Sequence, residues 1–213
     1  MPEQECGQAG AGYPSDCELT EALRARAMHR NRPVERSAAW MAALPQAKAV
    51  QLLLLDVDGV LTDGSLTYGN GDLETKRFNT QDGLGIRLLQ ESGVAVGIIT
   101  ARTSEAVTRR ARDLHINQVY QGKSDKLIVF EEILKQTGLR PPQTAYIGDD
   151  WMDLPILNRV GFAAAPANAV AEIRQRVHYT AEHCGGRGAV REICDLILEA
   201  QGQLHRMLAQ FDR

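Results

Sequence analysis

Asp56 and Asp58 flank a single valine and are followed by Gly59, so two carboxylates share one short piece of backbone. Carboxylates this close repel unless a cation or a shared proton lies between them. Residues of complementary chemistry recur downstream. Thr100 precedes Ala101-Arg102, Lys126 closes the run Gly122-Lys123-Ser124-Asp125-Lys126, and Gly148-Asp149-Asp150-Trp151-Met152-Asp153 holds three more carboxylates. The chemistry such a set could share is phosphoryl transfer. Asp56 and Asp149 offer hard oxygen ligands of the kind magnesium takes, with water and a phosphate oxygen completing the shell. Lys126 can neutralise phosphate charge, while the Thr100 hydroxyl and backbone N–H groups at helix starts can hold phosphate oxygens. A carboxylate can attack phosphorus to give an acyl phosphate that water then hydrolyses. A second carboxylate two residues on would face the leaving oxygen, able to protonate it and later to deprotonate water. Taken singly, each residue also has a plainer role: Asp58-Gly59 and Asp149-Asp150 as turns, Thr100 or Thr103 as a helix cap, Lys126 as a solvated lysine.

The elements that must position these residues are strands of one sheet. Leu52-Leu53-Leu54-Leu55 runs straight into Asp56, and an unbroken apolar run reads as a strand buried on both faces. Strand patterns over 51–57, 94–100, 118–120, 144–147 and 162–164 alternate with helical ones. One helical pattern begins after Gln81-Asp82 and stops at Gly93, a second carries Val107, Ala111 and Leu114, and a third carries Leu127, Phe130 and Leu134 and stops at Gly138 before Pro141-Pro142. The alternation predicts an α/β domain, a Rossmann-like parallel sheet with helices on both faces. Right-handed crossovers then bring the loop after each strand to one edge, where such sheets bind ligands.

Residues 64–78 interrupt the alternation, with Tyr68-Gly69-Asn70-Gly71-Asp72 at their middle, and short arms around Asn-Gly predict a β-hairpin flap. No large cap domain fits elsewhere. A capless site stays open to water, which favours a second subunit to close it, and the hairpin's free strand edges favour pairing between subunits. At the C-terminal end, Gly185-Gly186-Arg187-Gly188 leads into a long helix. Its apolar stripe is Val190, Ile193, Cys194, Ile197, Leu204 and Leu208, broken by Gln201.

The chain has 213 residues, 44% of them hydrophobic, and its net charge of -3 argues against a general nucleic-acid binder. The four cysteines, Cys6, Cys17, Cys184 and Cys194, show no CxxC pairing and fit reduced thiols rather than a zinc site or a disulfide framework. His183 beside Cys184 lacks the further ligands a metal site needs. No apolar stretch reaches the length of a membrane span, and the N-terminus lacks a secretory pattern, so the expected location is the cytoplasm. Residues 1–46 read as an N-terminal extension. Its first 17 residues are Gly-, Ala- and polar-rich and read as disordered, 18–30 as a short helix, and Arg24, Arg26, Arg30, Arg32 and Arg36 make the stretch basic. Met28 and Met41 are alternative starts. Residues 47–213 form the domain.

Asp56-Val57-Asp58-Gly59-Val60-Leu61-Thr62, Thr100, Lys126 and Gly148-Asp149-Asp150 with Asp153 resemble, in order, the four motifs of the haloacid dehalogenase superfamily. The resemblance implies Asp56 as nucleophile, Asp58 as general acid/base, and Thr100 and Lys126 as phosphate holders. It implies magnesium bound by Asp56, the Asp58 carbonyl and Asp149, with Asp153 and Asp150 supporting the site. Further segments narrow it: Thr62-Asp63-Gly64, Phe78-Asn79-Thr80-Gln81-Asp82-Gly83-Leu84-Gly85-Ile86, Tyr120-Gln121-Gly122, and Gly185-Gly186-Arg187-Gly188-Ala189-Val190-Arg191-Glu192. Over about residues 50–205 these look like the bacterial 3-deoxy-D-manno-octulosonate 8-phosphate phosphatases of lipopolysaccharide sugar synthesis. In that family the hairpins of four subunits join in a central barrel. The Gly-rich tail of one subunit reaches a neighbour's site, which would give Arg187 a substrate-binding role; the plainer reading is a linker.

Arg102 marks specificity. The octulosonate phosphatases place Arg after a Thr-Gly pair and the related nine-carbon ketodeoxynononate phosphatases place Glu there; an arginine can bind a sugar-acid carboxylate bidentately. Ala101 stands where that pattern has Gly, a departure of one methyl group. Arg110 could assist, or lie on an exposed helix face. The alternatives are a phosphatase for a nine-carbon sugar-acid phosphate and a non-catalytic tetramerisation module of a sugar-nucleotide pathway.

Overall fold

Leu52–Leu55 form strand β1, fully buried at every position, and its side chains divide strictly between two cores. Leu53 and Leu55 enter one cluster and Leu52 and Leu54 the other, as the period-2 alternation of a strand requires. Each such leucine contributes ~1.5–3 kcal/mol of burial, which is why this strand is all leucine and sits at the centre. The computed structural model describes residues 15–30, 34–69 and 74–212.

The remaining strands are β2 (Thr67–Tyr68), β3 (Glu74–Thr75), β4 (Ala95–Ile99), β5 (Gln118–Tyr120), β6 (Thr144–Ile147), β7 (Phe162–Ala165) and β8 (Tyr179–Thr180). The helices are α1 (Asp16–Arg30), α2 (Ala38–Ala47), α3 (Thr80–Glu91), α4 (Glu105–Asp113), α5 (Lys126–Thr137), α6 (Leu154–Leu157), α7 (Ala171–Arg174), α8 (Ala189–Ala200) and α9 (Leu204–Ala209). Six strands form one parallel sheet in the order β5-β4-β1-β6-β7-β8. The chain first builds outward from β1 through β4 to β5, then returns to the other side of β1 with β6. The crevice at the C-terminal end of β1 is therefore the switch point where such sheets bind ligands. Residues of α2, α3, α4 and α8 share the core that holds Leu53 and Leu55; residues of α5, α6 and α7 share the one that holds Leu52 and Leu54. The expected α/β architecture with helices on both faces is the one observed.

Residues 64–78 contain the hairpin: β2 and β3 pair antiparallel, Thr67 with Thr75 and Tyr68 with Glu74. The Asn70-Gly71-Asp72 turn lies outside the described residues. Four elements, α2, α6, α7 and β8, have no counterpart in the sequence reading. β8 is two residues long, too short to show a period, and α2 carries Pro45 within it. Helix α2 has a Ser37 cap, and Trp40, Ala43 and Ala47 are buried in the same core as α8. The chain divides into two compact units, 1–36 and 37–213. In the first unit, α1 is capped reciprocally by Ser15 and Glu18; residues 1–14, and with them most of the segment read as disordered, lie outside the described residues.

The long C-terminal helix is two helices. Gly202 has φ +68, its N–H donates to Glu199 O (2.9 Å), and the next N–H, of Gln203, donates to Leu198 O (2.8 Å). This is a Schellman termination, which the stripe pattern alone conceals. Val190, Ile193, Cys194 and Ile197 are buried, whereas Leu208, beyond the break, is exposed. Gln201 closes α8 by donating to Val50 O at 2.7 Å.

Candidate active site

The ladder of β1 continues one residue past the strand: Asp56 N–H donates to Ile147 O at 3.0 Å, which fixes Asp56 beside the end of β6. Buried Val57 then anchors a tight turn, its carbonyl accepting from Leu61 N (2.9 Å) and Thr62 N (3.0 Å). Gly59 sits in that turn at φ +87, and a Cβ there would fall 2.0 Å from Asp149 Oδ2. Glycine is needed twice over, for backbone conformation and for room for a carboxylate.

After β6 the chain passes Gly148 and turns through Asp149 and Asp150 into a 3-10 turn over Trp151–Asp153. Asp153 is fully buried. One of its oxygens accepts from Asp149 N (2.9 Å) and Asp150 N (3.2 Å), and the other from Tyr146 OH (2.7 Å) and Lys126 Nζ (2.7 Å). Lys126, the first residue of α5 and 3% exposed, also reaches Asp56 Oδ2 at 3.0 Å. Asp56, Asp149 and Asp153 each place an oxygen within 4.8 Å of the others, the one such grouping of three His, Cys, Asp or Glu among the described residues.

The electrostatics follow from that crowding. Burial, then the charge of Asp153, raises the Asp56 pKa to about 6, with Lys126 opposing. Burial, then Asp56 and Asp153, raises Asp149 to about 7. Burial would lower the Lys126 pKa, but Asp56 and Asp153 override it and the net shift is upward. The Tyr146 hydroxyl is pushed well up by burial and the same carboxylates, so it donates and does not ionise. Three carboxylates with one lysine leave excess negative charge, and their donors are all oxygen. A small hard divalent cation fits that set. Asp56 and Asp149 would hold it, with Asp153 fixing the backbone of the Asp149 loop from behind.

Asp58 points to a different neighbourhood. It pairs with Lys76, from the segment just after β3, and its other oxygen lies 3.8 Å from Arg102 Nε. Arg102 is also bound to Glu74, and Lys76 lies 3.4 Å from that same Glu74. Thr100 is 2% exposed at the end of β4, and its hydroxyl accepts from Arg102 N at 3.4 Å. The loops after β4 and β5 are tied together by Lys123 N to Thr100 O (3.1 Å) and Gly122 N to Arg102 O (3.2 Å).

Asp150 stands apart from the three-carboxylate group: it is exposed and caps the 3-10 turn through Trp151 N (2.7 Å). Arg110 donates to Asn79 O (2.8 Å) and lies over the Phe78 ring, bracing the base of the hairpin. The Gly-rich segment packs on this chain's own loop. Gly186 N donates to Val60 O (2.9 Å), and Asn168 bridges Gly185 N (2.6 Å) and Gly59 O (3.3 Å). Arg187 is exposed on that segment, near enough to help lower the Asp63 pKa after the Ser65 hydrogen bonds. His183 is held by Glu192 at 2.6 Å, which accounts for it without a metal.

Lys76, Glu74, Tyr146 and Asn168 escaped the sequence reading. Tyr146 reads as strand and Asn168 as loop. Lys76 carries the one available signal, a lysine just past a hairpin arm whose partner Asp58 lies 18 residues back.

Comparison with known proteins adds the following. Residues 115–193 match the family model described as haloacid dehalogenase-like hydrolase. The chain is 44% identical over 167 residues to the 3-deoxy-D-manno-octulosonate 8-phosphate phosphatase KdsC of Escherichia coli K12, covering 78% of this chain and 89% of that protein. The crystal structure of the 3-deoxy-D-manno-octulosonate 8-phosphate phosphatase of Yersinia pestis superposes with a TM-score of 0.76 at 45% identity, over 77% of this chain and 89% of that one. That of Moraxella catarrhalis, in complex with magnesium, phosphate and KDO, gives 0.78 at 41% identity, over 79% and 97%.

Proposed function

The chain belongs to the haloacid dehalogenase-like hydrolases, among relatives that are 3-deoxy-D-manno-octulosonate 8-phosphate phosphatases, and from that premise we propose that it hydrolyses 3-deoxy-D-manno-octulosonate 8-phosphate to the free sugar acid and phosphate. The observation that carries this reading is the group Asp56, Asp149 and Asp153 around Lys126 at the C-terminal ends of β1 and β6.

In the first half-reaction an Asp56 oxygen bonds to phosphorus while the bond from phosphorus to the sugar oxygen breaks, and the Asp58 carboxyl gives its proton to that leaving oxygen. In the second, a water oxygen attacks the same phosphorus, Asp58 takes the water's proton, and the Asp56–phosphorus bond breaks to release phosphate. Lys126, held by Asp56 and Asp153, sits where it offsets charge on the phosphoryl oxygens. Thr100 and the tied loops after β4 and β5 supply hydroxyl and N–H donors to them. A magnesium ion on Asp56, the Asp58 carbonyl and Asp149 would supply charge stabilisation, with Asp150 and Asp153 supporting.

Arg102 is the candidate for the sugar-acid carboxylate. Arg187, exposed beside the loop of Asp63, is the candidate to close a site, its own or a neighbour's. The exposed hairpin, with Tyr68 67% exposed, supports assembly as a homotetramer through paired hairpins. Among the described residues no helix is long and apolar enough to cross a membrane; a cytoplasmic enzyme of lipopolysaccharide sugar synthesis, with a small sugar-acid phosphate rather than nucleic acid as its partner, completes the reading.

The test is phosphate release with magnesium, compared between octulosonate 8-phosphate and a nine-carbon sugar-acid phosphate. Preferred turnover of the former, abolished in Asp56→Asn without loss of fold, supports the reading. Preference for the nine-carbon substrate would move the specificity, and no release from either would leave a scaffold role.

A further inference from the structure

Each carboxylate of the Asp56/Asp58 pair has its own lysine. Lys126 takes Asp56, and Lys76, brought in by the hairpin, takes Asp58. The Lys76 side chain is 1% exposed although it lies on the flap. Burying an ammonium group is costly unless opposite charge meets it, and here Asp58 and Glu74 do. The two Asp58 oxygens are divided: Oδ1 binds Lys76 and Oδ2 faces Arg102. Arg102 is in turn tied to Glu74, so Asp58, Lys76, Glu74 and Arg102 form a closed ring of two anions and two cations. The base of the flap is fixed as well. Arg110 holds Asn79 O at 2.8 Å and covers Phe78, while Asn79 caps α3 through Gln81 N at 2.7 Å.

We infer that Lys76 is a positioning residue: it holds the Asp58 carboxyl in the orientation that reaches the leaving oxygen and then the water, so the seating of the hairpin governs proton transfer. This rests on the phosphatase reading above. A salt bridge made only for stability would support the hairpin and leave the chemistry indifferent to it. A positioning contact acts through Asp58 alone, and its effect disappears when Asp58 is absent or when the reaction needs no proton.

The experiment is a double-mutant cycle of Lys76→Met and Asp58→Ala on octulosonate 8-phosphate with magnesium, with Lys76→Arg as the conservative variant. Lys76→Met should lower kcat ~10- to 100-fold with KM within ~3-fold, Lys76→Arg should recover most of it, and Lys76→Met should cost less than ~2-fold more in the Asp58→Ala background. The burst of p-nitrophenol from p-nitrophenyl phosphate, whose leaving group departs without a proton, should fall much less than kcat on the sugar phosphate. Equal losses on both substrates, the same factor in the Asp58→Ala background, or a rise in KM at unchanged kcat would each overturn the inference. Circular dichroism checks folding, and Lys76→Gln replaces the methionine variant if that one does not fold. Asp56→Asn on p-nitrophenyl phosphate tests the underlying reading separately; retained turnover there removes the phosphatase mechanism and the role of Lys76 with it.

Discussion

Stripped of divalent metal, the protein is expected to lose stability as pH rises, the reverse of ordinary acid denaturation. Asp149 has its pKa raised from 3.8 to about 7, chiefly by burial and then by Asp56 and Asp153. Below pH 3.8 both folded and unfolded chains hold the proton, and the contribution of this group to stability is fully present. Between 3.8 and about 7 the unfolded chain has released its proton while the folded one keeps it, so every pH step favours unfolding; above about 7 the loss is complete. At 1.36 kcal/mol per pH unit the whole window amounts to ~4 kcal/mol, and the part between pH 5 and 7 to ~2.7. Partial exposure of Asp149 screens some of this, leaving ~1.5–2.5 kcal/mol. Asp56, raised to about 6 in the same field, titrates together with Asp149 rather than adding a full increment of its own. Magnesium at a hundredfold excess over its Kd restores ~2.7 kcal/mol, more at pH 8 than at pH 5, because it binds the ionised carboxylates. The assay is urea unfolding at pH 5, 6, 7 and 8, in EDTA and in magnesium. Asp149→Asn makes the argument sharper: in EDTA at pH 8 it should exceed the wild type in stability by ~1–2 kcal/mol and gain little from magnesium. A metal-free wild type whose stability is flat or rises from pH 5 to pH 8 would refute the reasoning.

Two further outcomes follow from the packing. Asp82, buried in α3, accepts from Arg191 N (2.8 Å) and Gly188 N (3.4 Å) and so caps α8, whose own N-cap is a glycine; Asp82→Ala should cost ~1–3 kcal/mol in denaturant unfolding and Asp82→Asn less. Gly185→Ala would put a Cβ 1.8 Å from Gly59 O, against the loop that carries Asp58. It should lower phosphatase activity severalfold and stability by ~1–3 kcal/mol, whereas Gly93→Ala, with φ +100 but open space, should cost only ~1 kcal/mol of backbone strain and leave activity alone.

The sheet was legible because β1, β4, β6 and β7 are short, mostly apolar runs, the pattern of strands buried on both faces. The residues that follow the strands were legible for the same reason: once the strands are parallel, Asp56, Thr100, Lys126 and Asp149 share one edge by topology. Contacts made by side chains of ordinary type were not. Nothing in the composition of Glu74-Thr75-Lys76 says that the lysine turns inward to Asp58, since its burial depends on how the hairpin is seated. Likewise Asp82 looks like a helix start, although Asn79 is the cap and Asp82 serves another helix more than a hundred residues away. The break at Gly202 was hidden because the apolar stripe of α8 resumes in α9 at the spacing of a continuous helix.

The position of β1 also bears on how the chain is made. Its first neighbour, β4, follows about forty residues later and its second, β6, about ninety. On a ribosome adding ~5–20 residues per second, one edge of the four-leucine strand stays unpaired for several seconds after the other is covered. During that interval a strand of four leucines, fully buried in the finished fold, has an open flank. Conditions that slow elongation between residues 100 and 144 should therefore reduce the yield of folded protein more than equal slowing near the C-terminus.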